Sequence, residues 1–534
     1  MKEIYKVAKK LKLKKDNLYF YGKYSAKITK YNKNNINSNL ILVSAMNPTV
    51  YGEGKTTISI GLADSLKKLG KNVCLCLREP SMGPVFGMKG GAVGGGKAKI
   101  IPENDINLHF NGDLHALTYA NNLICAYIDS HIYNGNLLQL NPNNIAFTRC
   151  LDINDRALRE IEINKENLKK NIKRKESFVI TPASELMSIF CLAKDFNDFI
   201  DRCDNIIIGY NYNSQPIYFK QLNKTNDIKL LLQQAFYPNL VQTIYQTPCL
   251  VHGGPFANIS IGTSSYNSIK TAMDLSNYVI TEAGFGFDLG GEKFLDIMCR
   301  INNLNPKLIV LVCSIRSIKS YCDKTLSSGF EFVKHYVKTI KTIYNKDVLV
   351  CLNRFDNDSL TDIEVFENLC KKNNINFSIC NSFSVGENGA IDLAKQVIDK
   401  CSSANSPLTF SYNLTDKLQT KILDICKNVY GVGQIEFSKK AKSKILFYGN
   451  LLDELPVVIA KTPYSLTDDA KFNQLPNKES TIHIDDIELK NGVRFILVKT
   501  SKIYLMPGLW FVIKKIAILI IAFFIIFLLL KLNT

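Results

Sequence analysis

Leu40-Ile-Leu-Val-Ser-Ala-Met-Asn-Pro-Thr-Val-Tyr-Gly-Glu-Gly-Lys-Thr56 is the stretch on which the reading of the fold turns. Residues 40–45 form a short apolar run, as expected of a strand covered on both faces. A glycine-containing loop follows. From Thr56 to Leu69, Ile58, Leu62, Leu66 and Leu69 recur at helical spacing, and Gly70 closes the helix. Val73–Leu77 is the next strand, which completes a strand–loop–helix–strand unit. The loop reads like a phosphate-binding loop of the pattern G-x-x-x-x-G-K-[ST]. Gly54, Lys55 and Thr56 fit, and Thr49 stands in place of the first glycine. The set expected to hold a nucleoside triphosphate is Thr49, Val50, Tyr51, Gly52, Glu53, Gly54, Lys55 and Thr56. Lys55 faces the transferring phosphoryl group and Thr56 the Mg²⁺.

Further strand-like runs, Ile206–Ile208, Cys249–Val251, Tyr278–Ile280, Leu308–Val312 and Val348–Leu352, each end in a polar or glycine-rich loop. Strands alternating with helices predict an α/β fold with a mostly parallel sheet. Ligands of such sheets sit at the carboxyl ends of the strands. Arg78 lies there, directly after a strand, where a guanidinium can meet a carboxylate or phosphate in a two-pronged bond. The competing role for Arg78 is an ion pair with Glu79. The glycines between Gly87 and Lys97 allow backbone to approach a ligand closely.

The chain has 534 residues, which predicts several domains. Its formal net charge is +18, but the lysines are scattered and no basic stripe with interleaved aromatics stands out, so nucleic acid is not expected as a partner. The 15 cysteines form no C-x-x-C pair, and Met1 to Lys15 lacks an apolar core, so reduced thiols in a cytoplasmic protein are expected.

Beyond these local patterns, the chain resembles the formate–tetrahydrofolate ligase family from about Ile4 to Leu509. The resemblance rests on Tyr21–Lys27, Asn47–Thr57, the Gly87–Lys97 block, Asp105–His115, Asp152–Arg159, Pro238–Thr243, His252–Asn258, Thr281–Gly286 and Ala460–Leu466. It implies ATP-dependent activation of formate as formyl phosphate and transfer of the formyl group to tetrahydrofolate. The implied fold is a P-loop NTPase-like (nitrogenase-iron-protein-like) domain with two smaller α/β domains. ATP, Mg²⁺ and a monovalent cation, and assembly as a homo-oligomer (a tetramer), come with the resemblance. Arg78 matches the arginine that holds formyl phosphate. Asp113, His115 and His252 are candidates for proton transfer; each histidine has a rival role as a hydrogen-bonded core residue. Phe355 and Phe383 match the aromatics that sandwich the pterin. Here the chain departs from the pattern. Phe383 replaces a tryptophan, Val385 a basic residue, Asp356 a proline, and Ile261 a frequent histidine. These changes motivate a rival reading as a binding relative with little turnover.

Domains are expected at 1–340, 341–455 and 456–509. From Trp510 the chain turns apolar, and Ile516–Leu530 contains no polar residue. That run is about 22 Å as a helix at ~1.5 Å per residue, against a bilayer core of ~30 Å. Three readings of this tail stand together: a short membrane anchor, a buried helix, and a shift of reading frame. The anchor, joined to the phosphate loop, motivates a second rival, a membrane-attached P-loop ATPase.

Overall fold

The computed structural model describes residues 1–33, 37–49, 52–87, 92–163, 174–500 and 503–509. Its centre is a 12-stranded sheet. In chain order the strands are β1 (Leu18–Tyr21), β2 (Ser25–Ile28), β3 (Asn39–Ala45), β4 (Val73–Leu77), β5 (Gly94–Gly95), β6 (Ala98–Ile101), β7 (Asn239–Thr243), β8 (Pro248–Val251), β9 (Tyr278–Glu282), β10 (Leu308–Cys313), β11 (Asp347–Asn353) and β12 (Phe377–Cys380). The order across the sheet is β1-β2-β7-β8-β4-β9-β3-β10-β11-β12. From β8 to β12 every neighbouring pair is parallel. The other end, β1-β2-β7-β8, is antiparallel.

The apolar runs of the central strands follow from burial on both faces. In β3, Leu40 and Leu42 join one core while Ile41, Val43 and Ala45 join the other. β10 divides the same way, Ile309 and Leu311 against Leu308, Val310 and Val312. The helix Lys55–Lys68 covers one face through Ile58, Leu62 and Leu66, together with Leu393 and Val397 of the helix Ile391–Ser402. The helix Leu326–Thr342 covers the other through Phe330, Val333 and Tyr336. Helices on both faces of a mostly parallel sheet make this an α/β fold.

Two sequence expectations change. The run at Ile206–Ile208 forms a strand, Ile207–Asn211, but it belongs to a separate antiparallel sheet with Leu140–Ile145 and Pro216–Tyr218. The break expected at 340/341 falls inside the large sheet, because β11 and β12 extend it in register beyond β10. The phosphate-loop layer therefore runs on to the helix Ile391–Ser402, which packs on the helix Lys55–Lys68. Residues 456–509 hold a three-stranded sheet of Val457–Ala460, Phe495–Lys499 and Asp486–Lys490. All 15 cysteines are free, and most are buried in the apolar layers. No helix among the described residues is long and apolar enough to cross a membrane. The tail readings from Trp510 onward lie outside the described residues.

Candidate active site

The carboxyl ends of β3, β4, β9, β10, β11 and β12 bring the site together. After β3 the chain turns through Thr49, whose carbonyl accepts from Gly52 N–H at 3.0 Å. Val50 and Tyr51 lie outside the described residues. Gly54 ends the loop at φ 74°, a left-handed conformation that disfavours a side chain, and a Cβ there would sit 2.2 Å from Asn353 Nδ2. Asn353, the last residue of β11, donates to the Glu53 carbonyl at 3.0 Å. The Glu53 side chain turns inward rather than toward a phosphate. It is 1% exposed, accepts from Thr49 N–H at 2.7 Å and also accepts from the Ser314 hydroxyl. Glu53 thus braces the loop from behind. The helix that begins at Lys55 has no side-chain cap, which leaves its first N–H groups for an anion.

Lys55 lies half-buried at this helix start. Desolvation pushes its ammonium down from the usual lysine range, Glu282 opposes that, and Arg78 reinforces it. Thr56 Oγ1 donates to Glu282 at 2.8 Å and 3.0 Å to its two oxygens. Glu282 closes β9, next to β3, and is 6% exposed. Mg²⁺ binds through one or two protein oxygens plus substrate phosphates. A hydroxyl and a buried carboxylate side by side, next to the phosphate loop, fit that requirement. The sequence reading named Thr56 alone for a metal, and the fold sets Glu282 beside it. The signal was present in Thr281-Glu-Ala-Gly at a strand end, but only the pairing of β9 with β3 brings it to Thr56.

Arg78 follows β4. Its Nη1 donates to the Pro255 carbonyl at 3.3 Å, and its Nε is buried with no partner. No ion pair among the described residues joins it to Glu79, so the surface-pair reading fails. Burial pulls its guanidinium down from the usual range, against the attraction of Glu282. A Cβ at Gly284 would come within 2.9 Å of Nη1, so glycine there makes room for the guanidinium.

The three proton-transfer candidates separate. Asp113 is 2% exposed; its carboxylate pairs with Lys27 at 2.8 Å and accepts from Asn239 at 2.6 Å. Both oxygens are committed, so Asp113 locks the start of the helix Asp113–Tyr133 to the sheet instead of acting as a base. His252 is fully buried against Phe190. Its Nδ1 pairs with Ser265 Oγ at 2.6 Å, and its Nε2 with the Ala235 carbonyl at 2.9 Å. A carbonyl only accepts, so Nε2 carries a hydrogen. Burial pulls its pKa down to about 3. This is the core role, and it corrects the proton-transfer reading of His252. His115 alone remains accessible. Its Nε2 lies 3.1 Å from His109 Nδ1. Beside it, Asp152 accepts from Ser81 Oγ at 2.6 Å and from Met82 N–H at 3.0 Å, three to four residues beyond Arg78.

Phe355 and Phe383 leave the same sheet edge. Arg354 N–H donates to the Cys380 carbonyl at 2.9 Å, continuing the pairing of β11 with β12. Phe383 is 51% exposed, too open for a core aromatic. Lys97 N–H donates to its carbonyl at 2.8 Å, which seats it on the glycine-rich segment. Phe355 is half-buried under the Arg316 guanidinium, 5.1 Å from the ring centre, and Arg316 donates to the Gly52 carbonyl at 3.1 Å. Asp356 accepts from Ser384 at 3.0 Å, so the residue that departs from the family pattern ties the two aromatic loops together.

One further buried group reaches the loop. Asp288 accepts from Asn47 at 3.0 Å, from Tyr336 at 3.1 Å and from Lys461 at 2.5 Å. Lys461 is the second residue of the Ala460–Leu466 block, which this network fastens to the residue two places before Thr49. Sequence reading noted the block but assigned Lys461 no role.

A family profile described as formate–tetrahydrofolate ligase matches residues 1–520. The chain belongs to the formate–tetrahydrofolate ligase family. Proteins of that name are similar to it over nearly its whole length. The one from Campylobacter concisus (strain 13826) is 44% identical over 521 residues, covering 95% of this chain and 94% of the relative. That from Caldicellulosiruptor saccharolyticus is 41% identical over 526 residues, 95% and 94%. That from Campylobacter curvus (strain 525.92) is 44% identical over 520 residues, 95% and 93%. The family match extends past Leu509, into the beginning of the apolar tail. The ordered blocks quoted from the sequence therefore belong to one continuous relationship, and the altered residues around Phe383 are variation inside it.

Proposed function

We propose that the chain ligates formate to tetrahydrofolate with ATP, through formyl phosphate, giving 10-formyltetrahydrofolate, ADP and phosphate. The observation that carries this reading is the Arg78 guanidinium, with a free Nε, beside Lys55 and Glu282 at the carboxyl ends of adjoining strands. Phosphate oxygens meet the uncapped helix start and Lys55. A desolvated ammonium gains most from such a partner, and gains more as charge builds on the moving phosphoryl group. Mg²⁺ on Thr56 and Glu282 would neutralise phosphate charge. A formate oxygen held by Arg78 attacks the γ-phosphorus, and ADP leaves. The folate nitrogen then attacks the formyl carbon, and phosphate leaves. Arg78 holds the same group through both displacements, since a guanidinium suits carboxylate and phosphate alike. His115, 3.1 Å from His109, takes the proton from the folate amine. Phe355 and Phe383 grip the pterin ring.

The αβα layering and the phosphate loop support a P-loop NTPase-like fold of the nitrogenase-iron-protein-like kind, with the nucleotide layer running through about residue 402 and the smaller units after it. A homotetramer, a monovalent cation and a cytoplasmic location accompany the family reading. Family membership over residues 1–520 speaks against a membrane-attached ATPase. The aromatic pair and the Asp356–Ser384 tie speak against a binding relative without turnover.

The test is a reaction with MgATP, formate and tetrahydrofolate, each omitted in turn, read as acid-dependent methenyl absorbance. Product is expected only when all three are present. ADP release that ignores formate and tetrahydrofolate would overturn the reading.

A further inference from the structure

Asn353 and Arg316 both bridge the phosphate loop and the aromatic loops. Asn353, at the end of β11, is the buried bridge, through its side-chain amide to the Glu53 carbonyl. Arg316 is the exposed one, in the short helix Ile315–Ile318 that follows β10. Its Nη2 donates to the Gly52 carbonyl at 3.1 Å, and its guanidinium carbon lies 5.1 Å from the centre of the Phe355 ring. An aromatic face attracts a guanidinium within ~6 Å of its centre.

The helix that carries Arg316 is held at both ends. Ser314 caps its start, where the hydroxyl accepts from Ser317 N–H at 3.0 Å. The same hydroxyl donates to the Glu53 carboxylate, which also accepts from Thr49 N–H. Lys319, just past the end, pairs with Asp362 at 2.7 Å. The backbone at residue 316 is therefore anchored, and the long side chain alone has rotamers to choose among. An arginine side chain loses much freedom when it settles into one of them. Two partners select that rotamer here, a phosphate-loop carbonyl and a folate-side ring. The Gly52 carbonyl belongs to the turn in which Gly52 N–H donates to the Thr49 carbonyl, so its position follows the loop. The Phe355 loop is tied on to the Phe383 loop through Asp356 and Ser384.

We infer that Arg316 is a positioning residue that couples the nucleotide site to the pterin site, so that ATP in the phosphate loop tightens tetrahydrofolate. The inference rests on the ligase reading, with the pterin on Phe355 and Phe383. Phosphates at the helix start fix the loop, and with it the Gly52 carbonyl. That carbonyl holds the guanidinium over one face of Phe355, and the pterin takes the other. The arginine and the ring are then ordered before folate arrives, and the second ligand has less ordering to supply. Linkage makes the effect mutual: tetrahydrofolate tightens ATP by the same factor.

The experiment measures tetrahydrofolate binding to the full chain by anaerobic calorimetry, with formate omitted, in the absence and presence of a saturating non-hydrolysable ATP analogue and Mg²⁺. Arg316→Met, which keeps an unbranched apolar stem, and Arg316→Lys are measured beside the parent, with thermal unfolding as the check on folding. In the parent the analogue is expected to tighten tetrahydrofolate by about two- to fivefold, the worth of one exposed guanidinium–ring contact. In Arg316→Met both ligands still bind, and the factor falls to about one. Arg316→Lys keeps part of it, since an ammonium retains the charge without the flat fork. A purely structural role would shift the melting temperature and leave the factor alone. A parent that binds both ligands without coupling, or a folded Arg316→Met that keeps the parent's factor, overturns the inference and leaves the ligase reading standing. A parent that binds no tetrahydrofolate in either condition overturns both.

Discussion

Replacing Arg78 with lysine keeps the charge and removes the fork. In the fold, the guanidinium makes one bond to a neutral carbonyl, at 3.3 Å. Such a bond is worth about 0.5–1.5 kcal/mol, so the variant stays folded and melts only slightly lower. At the site the cost is larger. Two charge-assisted bonds to a formate carboxylate or formyl phosphate are worth about 1.5–3 kcal/mol each. Lysine retains one of them, so Arg78→Lys loses about 1.5–3 kcal/mol of transition-state stabilisation. That is about a 10- to 150-fold drop in kcat/KM for formate, at about 1.4 kcal/mol per decade. Arg78→Ala loses about twice the free energy, so its drop reaches about 10² to 10⁴. Binding of an ATP analogue, measured by calorimetry, changes little in either variant. Gly284→Ala provides an independent check, because its Cβ would stand 2.9 Å from Nη1 and displace the same group without removing it. If Arg78→Lys keeps kcat/KM for formate within about threefold, the guanidinium serves the fold alone and the argument for formate at this position fails.

Four other outcomes follow from the same geometry. Glu282→Gln keeps the bond to Thr56 but loses the charge; the Mg²⁺ concentration for half-maximal rate should rise by about tenfold, and an unchanged Mg²⁺ titration would return the metal to Thr56 alone. Phe383→Ala removes a stacking ring worth about 0.5–1.5 kcal/mol, so the KM for tetrahydrofolate should rise about 2- to 10-fold with an unaltered melting temperature; a loss of stability with no change in KM would mean that the ring packs the core. Asp113→Ala strands the Lys27 ammonium in a dry site and should cost about 3–5 kcal/mol in denaturant unfolding; a fully stable but inactive variant would restore Asp113 to the chemistry. His252 stays neutral down to about pH 3 in the folded chain, while its unfolded form takes a proton near 6.5. The unfolded state therefore binds more protons in that window, and this residue contributes stability that is present above pH 6.5 and falls by about 1.4 kcal/mol per unit as pH drops toward 3. Comparing unfolding of the parent with His252→Gln at pH 7 and pH 5 isolates the term, and equal pH slopes in the two would refute it.

The sequence by itself determined the elements that depend on neighbours along the chain. Residues 40–45 read as a doubly covered strand because all but Ser44 are apolar, and Leu40–Ala45 is buried throughout. The helix after Gly54 read from its apolar spacing, and the phosphate loop from Gly54-Lys55-Thr56. Arg78 was placed because it follows a strand. Family blocks pointed to Phe355 and Phe383. Charge partners and proton roles were not legible, since they depend on which strands lie side by side. Thr56 and Glu282 are 226 residues apart and meet only because β9 pairs with β3. Asp113 and His252 looked like proton carriers in the sequence. Lys27 and Asn239 claim the first, and Ser265 and the Ala235 carbonyl claim the second, from strands and loops far along the chain. The extent of the nucleotide layer was decided in the same way. β11 and β12 look alike whether they begin a new unit or finish an old one, and only backbone pairing with β10 assigns them to the large sheet. A residue's type sets what bonds it can make, and burial beside a distant partner decides which of them remains free for a substrate.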